Sequence, residues 1–221
     1  MNDIPQTGRT KLRRLPDRAL YDRQAIYDIL DEALVCHVGF VDQGHPYVIP
    51  TIHARIDDRL CLHGSRASRM LRCLSQGGPA CITVTLLDGL VLARSAFHHS
   101  MNYRSVVVLG KGREIVDPPE KTAALHRLTE HVVAGRWADV RPPSENELAA
   151  TTVVSFPLDE ASAKVRTGPP KDDEPDYAAP VWAGVIPLTL TAGPPEPDSR
   201  LAPGTGPPGY ATAYHRQSRT R

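Results

Sequence analysis

The sequence predicts a mainly β fold, a small antiparallel barrel with two or three helices at its edge. Three observations carry that reading. Between residues 34 and 63, short apolar runs are broken by turn residues at about ten-residue spacing, the rhythm of an antiparallel meander. Further strand-like runs follow at 80–86, 90–97 and 103–116. Strands and helices do not alternate as βαβ units, and no G-x-G-x-x-G follows a strand, which excludes a doubly wound dinucleotide-binding sheet. A closed barrel is the arrangement that leaves such a sheet no exposed edge.

Taken in order, residues 1–20 are polar, with Pro5, Pro16 and a basic cluster from Arg9 to Arg18, and read as an arm that orders only against a partner. Asp22 is placed to cap a helix in which Ile26, Ile29, Leu30, Ala33 and Leu34 form one apolar stripe. Strand-like runs at 34–41, 47–56 and 59–63 are separated by Asp42-Gln43-Gly44-His45-Pro46 and Asp57-Asp58. Ala67, Met70, Leu71 and Leu74 then recur at helical spacing, with Ser65 and Ser68 as alternative N-caps and Gly77-Gly78-Pro79 as the stop.

Asp88-Gly89 is a two-residue hairpin signal between two strands, and Gly110 and Gly112 mark bends in the long strand 103–116. Asp117-Pro118-Pro119-Glu120 has the parts of a helix start. Leu125, Leu128 and Val132 are that helix's buried stripe, Gly135 ends it, and Lys121, Arg127 and Glu130 give it a solvated face. Ser144-Glu145-Asn146-Glu147 is a second capping box, ahead of a strand at 151–158. Residues 181–188 form a last apolar segment. The Pro/Gly-rich residues 191–221 lack apolar periodicity and read as a disordered tail. This leaves one domain, 21–190, between the arm and the tail.

Composition narrows the function. At 221 residues with a formal net charge of +1 and well-mixed charges, the chain lacks the basic stripe of a nucleic-acid binder. No apolar run approaches the ~20 residues of a membrane span, and the N-terminus has no apolar core of a secretory signal. Cys36, Cys61, Cys73 and Cys81 form no C-x-x-C pair and sit in apolar segments, as expected of reduced thiols in a cytoplasmic protein.

Two stretches carry chemistry. In residues 61–74 a strand ends at His63-Gly64 and Ser65-Arg66-Ala67-Ser68-Arg69 opens a helix. Free amides at a helix start favour an anion, and Arg66, Arg69 and Arg72 add guanidinium groups suited to phosphate. The alternative is a plain strand-to-helix connection with solvated arginines. In residues 100–110, Arg104 shares a strand face with Val106 and Val108. A guanidinium buried there requires an anionic partner, unless Arg104 lies at the strand's wet end.

These stretches also carry a resemblance. The H-G-S-x-x-S-R of His63 to Arg69 and the Y-R-S-V of Tyr103 to Val106 resemble the FMN-binding split barrel of the pyridoxamine 5′-phosphate oxidase-like superfamily. The likeness is closer to its nitroimidazole-resistance and flavin-nucleotide-binding branch, whose tail is similar to 144–147, 163–166 and 182–187. It covers about residues 10–190. The resemblance implies a six-stranded antiparallel split barrel, homodimeric, with FMN at the subunit interface. It implies that Val48, Ile49, Pro50 and Thr51 meet the flavin ring and that His63 and Gly64 lie beside ring and ribityl chain. By the same likeness Ser65, Ser68 and Arg69 bind the phosphate, Tyr103, Arg104 and Ser105 lie near the flavin, and Trp182 closes the site. Met70 stands where the oxidases carry a phosphate-binding lysine, a loss for which Arg66 is the substitute at hand. Ser199-Arg200-Leu201-Ala202-Pro203 lacks the tryptophan and the arginine–histidine pattern that hold pyridoxal phosphate, so vitamin B6 oxidation is not expected.

The function expected is an FMN-dependent oxidoreductase that passes hydride or electrons to a small acceptor, a nitro compound or a quinone. His63 is its candidate catalytic group, as proton donor or substrate contact, with a structural histidine at the barrel rim as the alternative. A non-catalytic flavin-binding or storage protein and an F420-dependent reductase on the same fold are the other readings. No metal site is expected. His98 and His99 are adjacent and point to opposite strand faces, and His53, Cys61 and His63 lack paired ligand spacing. No G-x-S-x-G supports nucleophilic hydrolysis. Neither nucleic acid nor membrane is an expected partner.

Overall fold

The computed structural model describes residues 3–215; residues 1, 2 and 216–221, parts of the expected arm and tail, lie outside the described residues. The chain runs β1 (Ala19–Leu20), α1 (Arg23–Glu32), β2 (Val35–Asp42), β3 (His45–Ile56), β4 (Arg59–Ser65), α2 (Arg69–Ser75), β5 (Pro79–Leu92), β6 (Ser100–Lys111), β7 (Arg113–Glu114), α3 (Pro118–Val132), α4 (Glu145–Ala150), β8 (Thr151–Pro157), β9 (Ala161–Arg166), β10 (Gly184–Pro187) and α5 (Gly209–Thr212). Helix starts follow the local chemistry of their caps. Asp22 accepts from the Ala25 amide, Asp117 from that of Glu120, and Ser144 and Glu147 form a reciprocal capping box.

The strands form one antiparallel sheet of ten, ordered β1-β9-β6-β5-β2-β3-β4-β8-β7, with β10 added to β5. The mainly β antiparallel architecture is as expected, whereas the sheet has ten strands rather than the six of the expected split barrel, and among the described residues its path is open and ends on β1 and β7. Both end strands have only two residues, and such short edges offer little backbone for unwanted pairing.

Alternation places the core on one face. Cys36, Val38 and Phe40 of β2, Ile82 and Val84 of β5, and Val106 and Val108 of β6 pack with Ile26, Ile29 and Leu30 of α1 and with Met70, Leu71 and Leu74 of α2. Each fully buried aliphatic side chain contributes roughly 1.5–3 kcal/mol. β4 serves two clusters, because its side chains alternate. Leu60 and Leu62 enter the main core, whereas Cys61 joins Ile115, Ala124 and Val153 beneath α3. His63 is the next residue on the Cys61 face.

Asp88-Gly89 is not a hairpin. It is a register break within the continuous strand β5, where Leu87 pairs with Tyr103 and Gly89 with Asn102. The bulge turns the Asp88 carboxylate onto Arg104, and the absence of a side chain at Gly89 lets the backbone of β10 approach: a Cβ there would lie 3.0 Å from the Ile186 carbonyl oxygen. The long strand breaks at Gly112, where a Cβ would lie 2.3 Å from Val154 Cγ1 and 2.8 Å from Phe156 Cζ. The N-terminal arm packs on its own chain. Ile4 is 1% exposed, Thr7 and Arg9 bind Glu160, and β1 pairs with β9. Near the other end, α5 docks on the region after α3, with Tyr210 donating to Asp139 at 2.6 Å and Tyr214 to the Val132 carbonyl at 2.9 Å.

Candidate functional site

The outer face of the sheet is apolar. Val48, Pro50 and Ile52 alternate outward along β3, opposite Gly39, His37 and Val35 of β2. Val48 is 68% exposed, and Val35, Val41, Leu87 and Met101 on the same face are exposed as well. The intervening Ile49 and Thr51 are half-buried. Tyr103 and Ser105 of β6 belong to this face, and Ser105 Oγ donates to the Lys164 carbonyl at 3.2 Å.

Arg104, implied as a flavin contact, is turned the other way, because strand alternation carries it inward with Val106 and Val108. Its guanidinium donates to both Glu32 oxygens (2.5 and 2.7 Å) and both Asp88 oxygens (2.7 and 3.0 Å). These bonds, to Glu32 first and Asp88 second, raise its already high pKa, so the group stays charged at every accessible pH. The anionic partner that burial demands is two carboxylates of the chain itself.

The turn from Ser65 to Arg69 spends most of its amides internally. The Arg66 amide donates to the Ala150 carbonyl at 2.9 Å, that of Ala67 to Ser65 Oγ at 3.2 Å and that of Ser68 to the Ser65 carbonyl at 2.9 Å. Ser68 caps α2, which has only seven residues. Arg69 lies 3.6 Å from Asp42 and its guanidinium stands over the Tyr47 ring. Arg66 is exposed and has no ion-pair partner among the described residues. Gly64 faces α2, and a Cβ there would meet Leu71 Cδ1 at 3.0 Å. Trp182 is 64% exposed, precedes β10 and lies against Gly184.

His63 leads to a feature that the sequence did not disclose. With Ile52 of β3 it lines a cavity of about 630 Å³ that Leu125, Leu128 and Val132 of α3 line from the helix side. Trp137 closes one side, and Arg136, Arg141 and Glu147 reach its rim. Neither ring nitrogen of His63 has a hydrogen-bond partner among the described residues, and Nδ1 is fully enclosed. Burial pushes the imidazole below its ordinary pKa, because the cation loses its hydration there. A neutral imidazole in an apolar chamber has an unused lone pair and N–H. At the rim, Arg141 makes two bonds to Glu147 (2.6 and 2.7 Å), whose carboxyl is held down at about 2, while Arg136 donates to the Tyr210 hydroxyl at 2.9 Å.

Ile52 belongs both to the outer row of β3 and to the cavity, so the two regions are contiguous. The cavity lining on α3 was read from sequence only as a leucine stripe. A stripe that bounds a void has the same periodicity as one that fills it. His53 lies elsewhere, 0% exposed with Nε2 3.0 Å from the Leu30 carbonyl and its ring 5.2 Å from that of His131. His98 sits with Asp173 and Asp176, whose ligand atoms lie within 4.8 Å of one another, and not with His53, Cys61 or His63. No helix among the described residues is long and apolar enough to cross a membrane.

Comparison with known proteins adds three findings. A family model described as pyridoxamine 5′-phosphate oxidase matches residues 22–165. Among solved structures, the flavocytochrome Anf3 from Azotobacter vinelandii is 43% identical, covering 93% of this chain and 95% of its own with a TM-score of 0.88. The FAD and heme binding protein from Mycobacterium smegmatis is 38% identical, with 87% and 95% covered and a TM-score of 0.84. A protein from Bacteroides thetaiotaomicron solved under the name of a 5-nitroimidazole antibiotic resistance protein is 30% identical over 66% of this chain and 86% of its own, with a TM-score of 0.55. A search of the curated proteins finds no match.

Proposed function

Because the chain belongs to the pyridoxamine 5′-phosphate oxidase family, we propose that it is a flavin-binding redox protein that also carries heme. The observation that carries this reading is the cavity under α3, a largely apolar space lined by one half-buried imidazole whose enclosed Nδ1 has no hydrogen-bond partner. Its volume falls within the roughly 300–1,000 Å³ of cofactor pockets. A flat apolar macrocycle with a metal centre and carboxylate arms needs apolar walls, a nitrogen donor and a cationic rim, and Leu125, Leu128, His63 and Arg136 supply these. The two relatives near 40% identity, a flavocytochrome and an FAD and heme binding protein, support the same pairing.

The flavin is assigned to the outer sheet face, where Val48, Ile49, Pro50 and Thr51 offer a flat strand against an aromatic ring. Ser65, Ser68 and Arg66 lie at the end of the neighbouring strand, suited to a phosphate. Arg69, already engaged by Asp42, contributes less. We favour FAD over FMN and F420, since FAD is what the Mycobacterium smegmatis relative is named for. When bound, the flavin supplies hydride and single-electron chemistry and the heme single-electron chemistry. The chain's own groups bind and orient. Neutral His63 is a poor proton donor, which favours a binding role over acid catalysis. The exposed apolar face carrying Val48, Ile52, Leu87 and Met101 is where a second copy of the chain would cover the flavin in a homodimer.

Absorbance and mass spectrometry of the purified full chain test the reading. Released FAD together with a heme band is the result expected, and a colourless protein that takes up neither added FAD nor hemin would sink it. Turnover with reduced nicotinamide and nitro or quinone acceptors then separates a reductase from a flavin carrier, which would show none.

A further inference from the structure

Resting on the heme reading, we infer that His63 is the axial ligand of the heme iron and Arg136 the partner of a heme carboxylate. The chamber decides the first assignment. Heme iron takes its protein ligand from a histidine, a thiolate, a methionine or a tyrosine. Among the described residues that line this cavity, His63 is the one side chain of those types. Its position is fixed by the sheet, because β4 pairs with β3 up to Leu62 and with β8 through His63, which lies opposite Val153. A ligand on a central strand is held more firmly than one on a loop. The ring makes no hydrogen bond to the chain, so coordination breaks none.

The rim decides the second assignment. Arg141 is already paired directly with the Glu147 carboxylate, whereas the Arg136 side chain donates to the Tyr210 hydroxyl and meets the Asp139 carboxylate only through it. A carboxylate at the mouth of the chamber therefore gains more from Arg136 than from Arg141.

The test uses the full chain titrated with hemin and followed by Soret absorbance, with FAD binding and the circular dichroism spectrum as controls for folding. Wild type should bind one hemin per chain. His63→Ala should weaken hemin binding by at least about tenfold, the lower end of what even an outer-shell loss costs a metal site, and should shift the Soret band. Added imidazole should restore the wild-type spectrum in that variant, as a merely structural role would not. Arg136→Gln should weaken binding by a smaller factor and leave the band position unchanged. If folded His63→Ala binds hemin with wild-type affinity and spectrum, the ligand assignment is wrong while the heme reading stands. If wild type binds FAD but no hemin, the heme reading falls and the assignment with it.

Discussion

Arg104 and His63 are both polar groups taken into the protein from strands of one sheet, and their surroundings differ completely. Arg104 is met by two carboxylates on the core side, each accepting from its guanidinium with both oxygens, and its own side chain is 8% exposed. His63, on the opposite side of the fold beneath α3, meets apolar walls and empty space. The first arrangement is complete without any other molecule and ties α1, the β5 bulge and β6 together. The second is incomplete as the chain alone makes it. A buried charge whose partners are all within the chain reports architecture; a polar group left without a partner points to a ligand.

This contrast can be broken by mutation. Arg104→Ala leaves Glu32 and Asp88 facing each other in a largely buried site, and a denaturant melt should register a loss of about 3–5 kcal/mol. Restoring neutrality with Glu32→Gln and Asp88→Asn in the same chain should recover much of it. His63→Ala removes no hydrogen bond, and the same melt without cofactor should move by about 1 kcal/mol or less. If the two single variants cost the same, the distinction between a structural and a receptive polar group fails here.

The smallest effect is expected at the rim. Glu147 sits at about 2, held first by the Arg141 guanidinium and then by the Ser144 amide. Its folded pKa lies below the unfolded value, so its contribution is complete above the ordinary carboxylate range and is lost as pH falls from about 4.5 towards 2. An NMR titration of the Glu147 carboxyl should give a midpoint near that lower value, and Arg141→Gln should move it upward. Survival of the low midpoint in Arg141→Gln would show that the capping box alone sets it.

What the sequence disclosed follows the range of the interactions. Asp22, Asp117 and Ser144 announced three helices, because a cap and the amide it binds lie three residues apart. The need of Arg104 for an anion was legible, but Glu32 and Asp88 were not, since only the folded sheet brings them to it. The same distance effect explains the misread Asp88-Gly89. As a dipeptide it favours a turn, yet Arg104 and the incoming β10 make it a bulge. Strand β9, ASAKVR, carries little apolar signal and was not read as a strand; only its residues 163–166 drew notice, as a family likeness. His63 stood out in the sequence beside its glycine, while the void above it depends on where α3 settles.

The pairing of Ala19 with Lys164 has a consequence for how the molecule comes into being. During synthesis α1 emerges early, yet the strand that secures the segment before it is among the last parts of the sheet to leave the ribosome. Val185 must likewise find Val91 across a long interval of chain. Such distant closures are slow to form. The unfinished protein therefore spends its most exposed interval with apolar strands uncovered, and an added domain or truncation downstream would be felt first as poor yield rather than as altered chemistry.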